Sequence, residues 1–125
     1  MKRVILSSVL AAAAIGSVSS ANAQATTTPT AFCSGVAGNG ITASPTTAGG
    51  FVITVFTPKC SANVFLSGSD SSTFYRVGAG SSKGKNRFAG STMGGGIAAA
   101  GSCAVTGCSA SDATTALAST YAATS

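Results

Sequence analysis

Few side chains in this 125-residue chain could carry chemistry. It holds four cysteines, two carboxylates, seven basic residues and no histidine or tryptophan. Glutamate is absent, so the carboxylates are Asp70 and Asp112. General acid–base catalysis draws on a histidine or on a carboxyl group tuned by a neighbour. Glycoside hydrolysis needs two carboxyl groups a few ångströms apart. Asp70 lies in Ser69-Asp70-Ser71-Ser72, a turn sequence, and Asp112 follows Ser109 and Ser111 at a helix start. Each carboxylate therefore has a structural role that accounts for it. A Ser–His–Asp or Cys–His arrangement cannot be assembled without histidine. Composition allows a Ser–Lys pair, but no serine is marked out by its neighbours. The expectation is a chain that is not an enzyme and uses no cofactor.

The cysteines are Cys33, Cys60, Cys103 and Cys108. Zinc sites pair their ligands at short Cys-x-x-Cys spacing, often with histidine. That pattern is missing, so no metal site is expected. An even count in an exported chain predicts two disulfides. Of the three pairings, Cys33–Cys60 with Cys103–Cys108 is favoured. The second closes a tight loop over Ala104-Val105-Thr106-Gly107, where a glycine eases the bend. On the chain-entropy account these bridges contribute about 3.6 and 2.2 kcal/mol.

Export is read from the first residues. Lys2 and Arg3 precede the apolar run Val4 to Ile15, and Ala21-Asn22-Ala23 fits the small-x-small cleavage pattern. Residues 1–23 are therefore expected to be a signal peptide, with Gln24 starting the mature chain. A retained membrane anchor is the competing reading, but the run is short and wrongly flanked for one. No later stretch is long enough to span a bilayer. The product is expected outside the cell or at its surface, with the periplasm as the other compartment. Removing Lys2 and Arg3 lowers the formal charge from +5 to +3.

Arg76, Lys83, Lys85 and Arg87 gather four of the remaining basic side chains in one hairpin. Charges at a loop and sheet edge can simply discourage unwanted strand pairing. They could instead dock an anionic polymer such as acidic polysaccharide, lipopolysaccharide or extracellular DNA. Phe74, Tyr75 and Phe88 flank the patch and could stack on sugars or bases, although they also suit a core. Gly80 to Lys85 superficially resembles a phosphate loop. Its glycine-to-Gly-Lys spacing is one residue short, and Asn86 stands where a magnesium-binding hydroxyl belongs.

These residues must be positioned by a single small domain over residues 24–125. Its large apolar residues cluster between Phe51 and Val77, in three short runs separated by turn formers, which predicts an antiparallel meander. The first strand, Phe51 to Thr57, is apolar on both faces and ends at Pro58. The second runs through Cys60 to Leu66, with Cys60, Ala62, Val64 and Leu66 on one face. A polar break at Ser67 to Ser72 precedes the third, Thr73 to Val77. Gly78 to Asn86 reads as a loop, Arg87 to Met93 as a fourth strand, and Ile97 to Ala100 as an extension. Upstream, Gln24 to Thr30 is an extended arm that could lie along another subunit's sheet edge. Ala31 to Val36 is a short strand, and Gly38-Asn39-Gly40 a tight turn.

A C-terminal helix is expected, capped by Ser109 or Ser111, with Asp112 in its first turn. Ala113, Ala116, Leu117 and Tyr121 would form its apolar face; a frayed tail is the alternative. The fold class is thus mainly β: a small disulfide-bonded antiparallel sheet or β-sandwich with one short C-terminal helix. A two-faced apolar strand over a thin core points to self-association as the cover for the remaining apolar surface. The functional expectation is an exported structural subunit of a surface layer, fimbria-like filament or biofilm matrix. The alternative is a secreted binding module for anionic polysaccharide or nucleic acid.

Overall fold

A computed structural model describes residues 28–45, 49–94, 96–104 and 106–119. In chain order the elements are β1 (Thr30–Ser34), β2 (Gly38–Asn39), β3 (Lys59–Cys60), β4 (Val64–Asp70), β5 (Tyr75–Ser81), β6 (Asn86–Ser91), β7 (Ala98–Ser102) and α1 (Ala110–Leu117). Five strands form one antiparallel sheet in the order β1-β4-β5-β6-β7, while β2 and β3 make a separate two-residue pair. Of the two forms expected, the antiparallel sheet is the one present. Both disulfides join the favoured partners, Cys33–Cys60 and Cys103–Cys108. The expected signal peptide, residues 24–27 of the arm, Val105 and Tyr121 lie outside the described residues.

The helix forms where the sequence places it. Ser109 Oγ accepts from the Asp112 N–H at 3.4 Å, and Asp112 Oδ2 accepts from the Ser109 N–H at 2.9 Å. Two N–H groups that the helix leaves unpaired are thereby satisfied. Ala113, Ala116 and Leu117 are buried as α1 packs across β4, β5 and β6. Alanine keeps the approach short, and glycine completes it from below. A Cβ at Gly78 would lie 2.2 Å from the Ala113 carbonyl oxygen, and one at Gly80 would lie 2.7 Å from Cys108 Cβ.

The opposite face of the sheet carries a second small core. Phe32, Cys33 and Ala43 are buried there, packed with Cys60, Leu66 and Tyr75. The register between β1 and β4 shifts between Ala31 and Cys33. Such a bulge lets neighbouring residues turn to one side, and here both Phe32 and Cys33 are buried. Gly68 makes room for the Phe32 ring, which a Cβ there would approach to 2.5 Å.

Four expectations need correction. Phe51 to Thr57 is not a strand; among the described residues its only pairing is the isolated bridge between Phe56 and Ala43. The next strand of the main sheet in sequence, β4, has both sides taken by β1 and β5, so the adjacent pairing that a meander needs is already occupied. Ser67 to Asp70, read as a break, belongs to β4, and Ser67 is the most buried polar residue described. The turn comes later, where Ser72 takes a positive φ of 65° and the Ser71 N–H donates to the Phe74 carbonyl. Gly78 to Ser81 are strand rather than loop, since the helix needs bare backbone beneath it. Gly38 and Asn39 pair with Cys60 and Lys59 instead of forming a turn. This leaves Cys60 in β3, separated from β4 by a turn through Asn63, whose φ is 66°.

Candidate functional site

Strand alternation sorts the expected basic patch onto different surfaces. On β5, Arg76 shares the helix-side face with Gly78 and Gly80, and its guanidinium lies 4.8 Å from the centroid of the Phe74 ring. Such a cation–ring contact contributes on the order of 0.5–1 kcal/mol or more as water is excluded. On β6, Arg87 donates to the carbonyls of Ala100 and Ser102, each at 3.2 Å, and to Asp112 Oδ1 at 3.4 Å. It therefore ties β7 and the helix start together. Lys83 and Lys85 remain exposed in the turn between β5 and β6. The four cations thus form no single patch: two serve the helix side and two stand at a hairpin tip.

That tip is built by internal hydrogen bonds. The Ser82 N–H donates to the Asn63 carbonyl at 2.9 Å, the Gly84 N–H to the Ser81 carbonyl at 2.9 Å, and the Lys83 N–H to Ser81 Oγ at 3.2 Å. A phosphate cradle points such amides outward at the anion; here they are spent on the chain itself.

The carboxylates sit on opposite sides of the sheet. Asp112 caps α1, and its carboxyl is held below its ordinary value mainly by the Ser109 backbone and side-chain hydrogen bonds, with Arg87 adding to them. Asp70 ends β4 on the other side and accepts from the N–H groups of Phe51, Val52 and Ser72 at 2.9, 3.1 and 2.8 Å. Burial raises its pKa, and these three donors together lower it by more, leaving it below the usual 3.8. Tyr75 stands opposite Asp70 in the ladder, and burial, with the Asp70 charge behind it, pushes its phenol up.

The side of the sheet away from the helix is only half covered. Phe32, the Cys33–Cys60 bridge and Ala43 pack with Leu66 and Tyr75 over the β1–β4 half. The β5–β7 half bears Val77, Ala79, Phe88 and Ala99, joined by Ile97 against Gly90. Phe88 is 44% exposed and Ile97 77%. Two hollows open there. One, of about 370 Å³, is lined by Val64, Ala79, Lys85 and Phe88 among others; the other, of about 210 Å³, by Tyr75, Val77, Gly90 and Ile97.

The segment that sequence reasoning placed at the centre of the fold reaches the border of this open half at Val52, which lines a small cavity with Tyr75. The Asp70 carboxylate pins it at Phe51 and Val52, and the bridge to Ala43 pins it at Phe56. Between these ties Ile53 is 85% and Val55 58% exposed. Sequence reasoning expected leftover apolar surface here but placed it on a paired strand, because strand-like composition is the same whether a segment is paired or bare. Alternation along Asn86 to Ser91 does set Phe88 apart from Arg87 and Ala89, the one signal present in the sequence. Compared with known proteins, the chain matches no family model, no curated protein and no solved structure.

Proposed function

We propose that the chain is an exported structural protein that self-associates, a subunit of a surface layer, fimbria-like filament or biofilm matrix. One observation carries this reading. Among the described residues, Val36, Ile41, Phe51, Ile53, Val55, Phe56, Phe88, Met93 and Ile97 are exposed, whereas Phe32, Phe74 and Leu117 are the only large non-cysteine apolar residues in the core. More large apolar side chains are thus exposed than buried, and exposed apolar surface of this extent is what association would cover. Two disulfides let so thin a core persist, which suits a component exposed to an oxidising exterior. Electron microscopy and sedimentation of the purified, oxidised chain test the proposal. Ordered assemblies or concentration-dependent association are expected; monodisperse monomer at high concentration refutes it.

A second reading, a secreted binding module for anionic polysaccharide or nucleic acid, draws on the 370 Å³ hollow, where Phe88 and Lys85 share one wall. An exposed ring beside a cation suits stacking on a sugar or base that carries charge. It predicts salt-sensitive retention on such polymers that falls when Lys83 and Lys85 are both replaced by alanine. Retention unchanged in the double variant excludes it.

A further inference from the structure

Two apolar surfaces are left open: the exposed side chains of Phe51 to Phe56, and the hollows over β5, β6 and β7. Tyr75 stands at the border: it lines a small cavity with Val52 on the covered side and the 210 Å³ hollow with Ile97 on the open side. Two different apolar surfaces on one chain can each cover the other on a copy turned about a two-fold axis, so that both contacts form twice. We propose that a second copy of this chain is the occupant of the open half, and that Phe51, Ile53, Val55 and Phe56 of each copy pack on Phe88 and Ile97 of the other. This inference rests on the self-association reading and specifies its interface.

Area and charge agree with it. A fully exposed large apolar residue presents about 150–200 Å². With the observed exposures, these six side chains offer roughly 600 Å² per chain, so a reciprocal pair can bury up to about 1,200 Å² through them, and backbone and small residues at the contact add to that to reach a standard specific interface. The six carry no charge, and Lys85 beside Phe88 is exposed on a flexible stem that can keep its amine in water at the rim. Pairing through the sheet edge fits less well. The carbonyls of Ala100 and Ser102 on β7 already accept from Arg87, and the β6–β7 register is broken by an irregularity. Both features blunt an edge.

Sedimentation of the oxidised chain, with the variants Ile53→Asp and Ile97→Asp, tests the interface. Ile53 and Ile97 are largely exposed, so both variants are expected to keep the far-ultraviolet spectrum and melting of the isolated chain. Each is expected to weaken the dimer at least tenfold, while Ser111→Asp, on the helix side, leaves it unchanged. A mixture of Ile53→Cys and Ile97→Cys chains is expected to form a crosslink between copies that neither forms alone. Association undiminished in both Asp variants, or Ile53→Cys crosslinking to itself, overturns this interface and leaves the self-association reading standing. A wild-type chain that stays monomeric overturns both.

Discussion

Replacing Gly78 with alanine asks how the helix is held on the sheet. The added Cβ would lie 2.2 Å from the Ala113 carbonyl oxygen, 3.1 Å from Ala116 Cβ and 3.2 Å from the Leu117 nitrogen. The first contact is with backbone, so no change of rotamer relieves it; the helix must lift by about 1 Å to restore an ordinary separation. A gap of that size forfeits roughly a quarter to a half of each facing contact's dispersion energy. Leu117 alone is worth about 1.5–3 kcal/mol when buried, and Ala113 and Ala116 lift with it. The helix start is also tethered, by the Cys103–Cys108 bridge and by Arg87 on Asp112, which limits tilting as an escape. Overpacking of this kind costs about 1–3 kcal/mol, and the backbone clash places Gly78→Ala toward the upper end. At about 4–8 °C per kcal/mol for a domain of this size, the melting temperature should fall by roughly 10–20 °C. Gly96→Ala is the matched control, since a Cβ there meets nothing within 4 Å. Thermal melts of the oxidised proteins decide the matter. Equal melting temperatures for the two variants would refute the seating of α1 on Gly78.

Asp70 ties acid stability to the exposed segment. Its pKa is lower in the folded state than the ordinary 3.8, so its contribution is present above that value and disappears as pH falls through the folded pKa. Denaturation curves between pH 2 and 7 should show this loss in the wild type and a flatter acid limb in Asp70→Asn; identical limbs would disprove the coupling. The same variant should speed proteolysis within residues 51–56, followed by mass spectrometry of early fragments. Replacing Cys33 and Cys60 together by serine removes a bridge of sequence separation 27 and should cost about 3–4 kcal/mol by urea denaturation. Replacing Cys103 and Cys108 removes one of separation 5 and should cost less, about 2 kcal/mol. The reverse order would show that strain or packing, not chain entropy, dominates. Ser109→Ala should cost about 1 kcal/mol through the lost cap, and no change in stability would mean that Asp112 alone holds the helix start.

Local chemistry was legible along the chain. Ser109 or Ser111 ahead of Asp112 announced the helix start, of which Ser109 is the cap, and Ala113, Ala116 and Leu117 announced its buried face. Each depends only on residues within one turn of helix. Cysteine spacing anticipated both bridges, because a six-residue cysteine loop closes most readily on itself and leaves the other two sulfurs to each other. β6 and β7 fell close to where apolar residues between glycine-rich breaks predicted them.

Partnership between distant segments was decided by the tertiary structure alone. Phe51 to Phe56 has strand-forming side chains, yet the pairing beside β4 that a meander would give it is taken, because β1 and β5 occupy both sides of β4. Ser67 to Asp70 and Gly78 to Ser81 look like loop, yet they form the middle of the sheet, because a close-packed helix on one side and Phe32 on the other demand small residues between them. Likewise, Arg76 and Arg87 leave the basic patch because pleating turns them toward the helix, where an aromatic ring and Asp112 receive them. Propensity and capping are set by neighbours in sequence; burial, pairing and the fate of a charge are set by what the rest of the chain brings near.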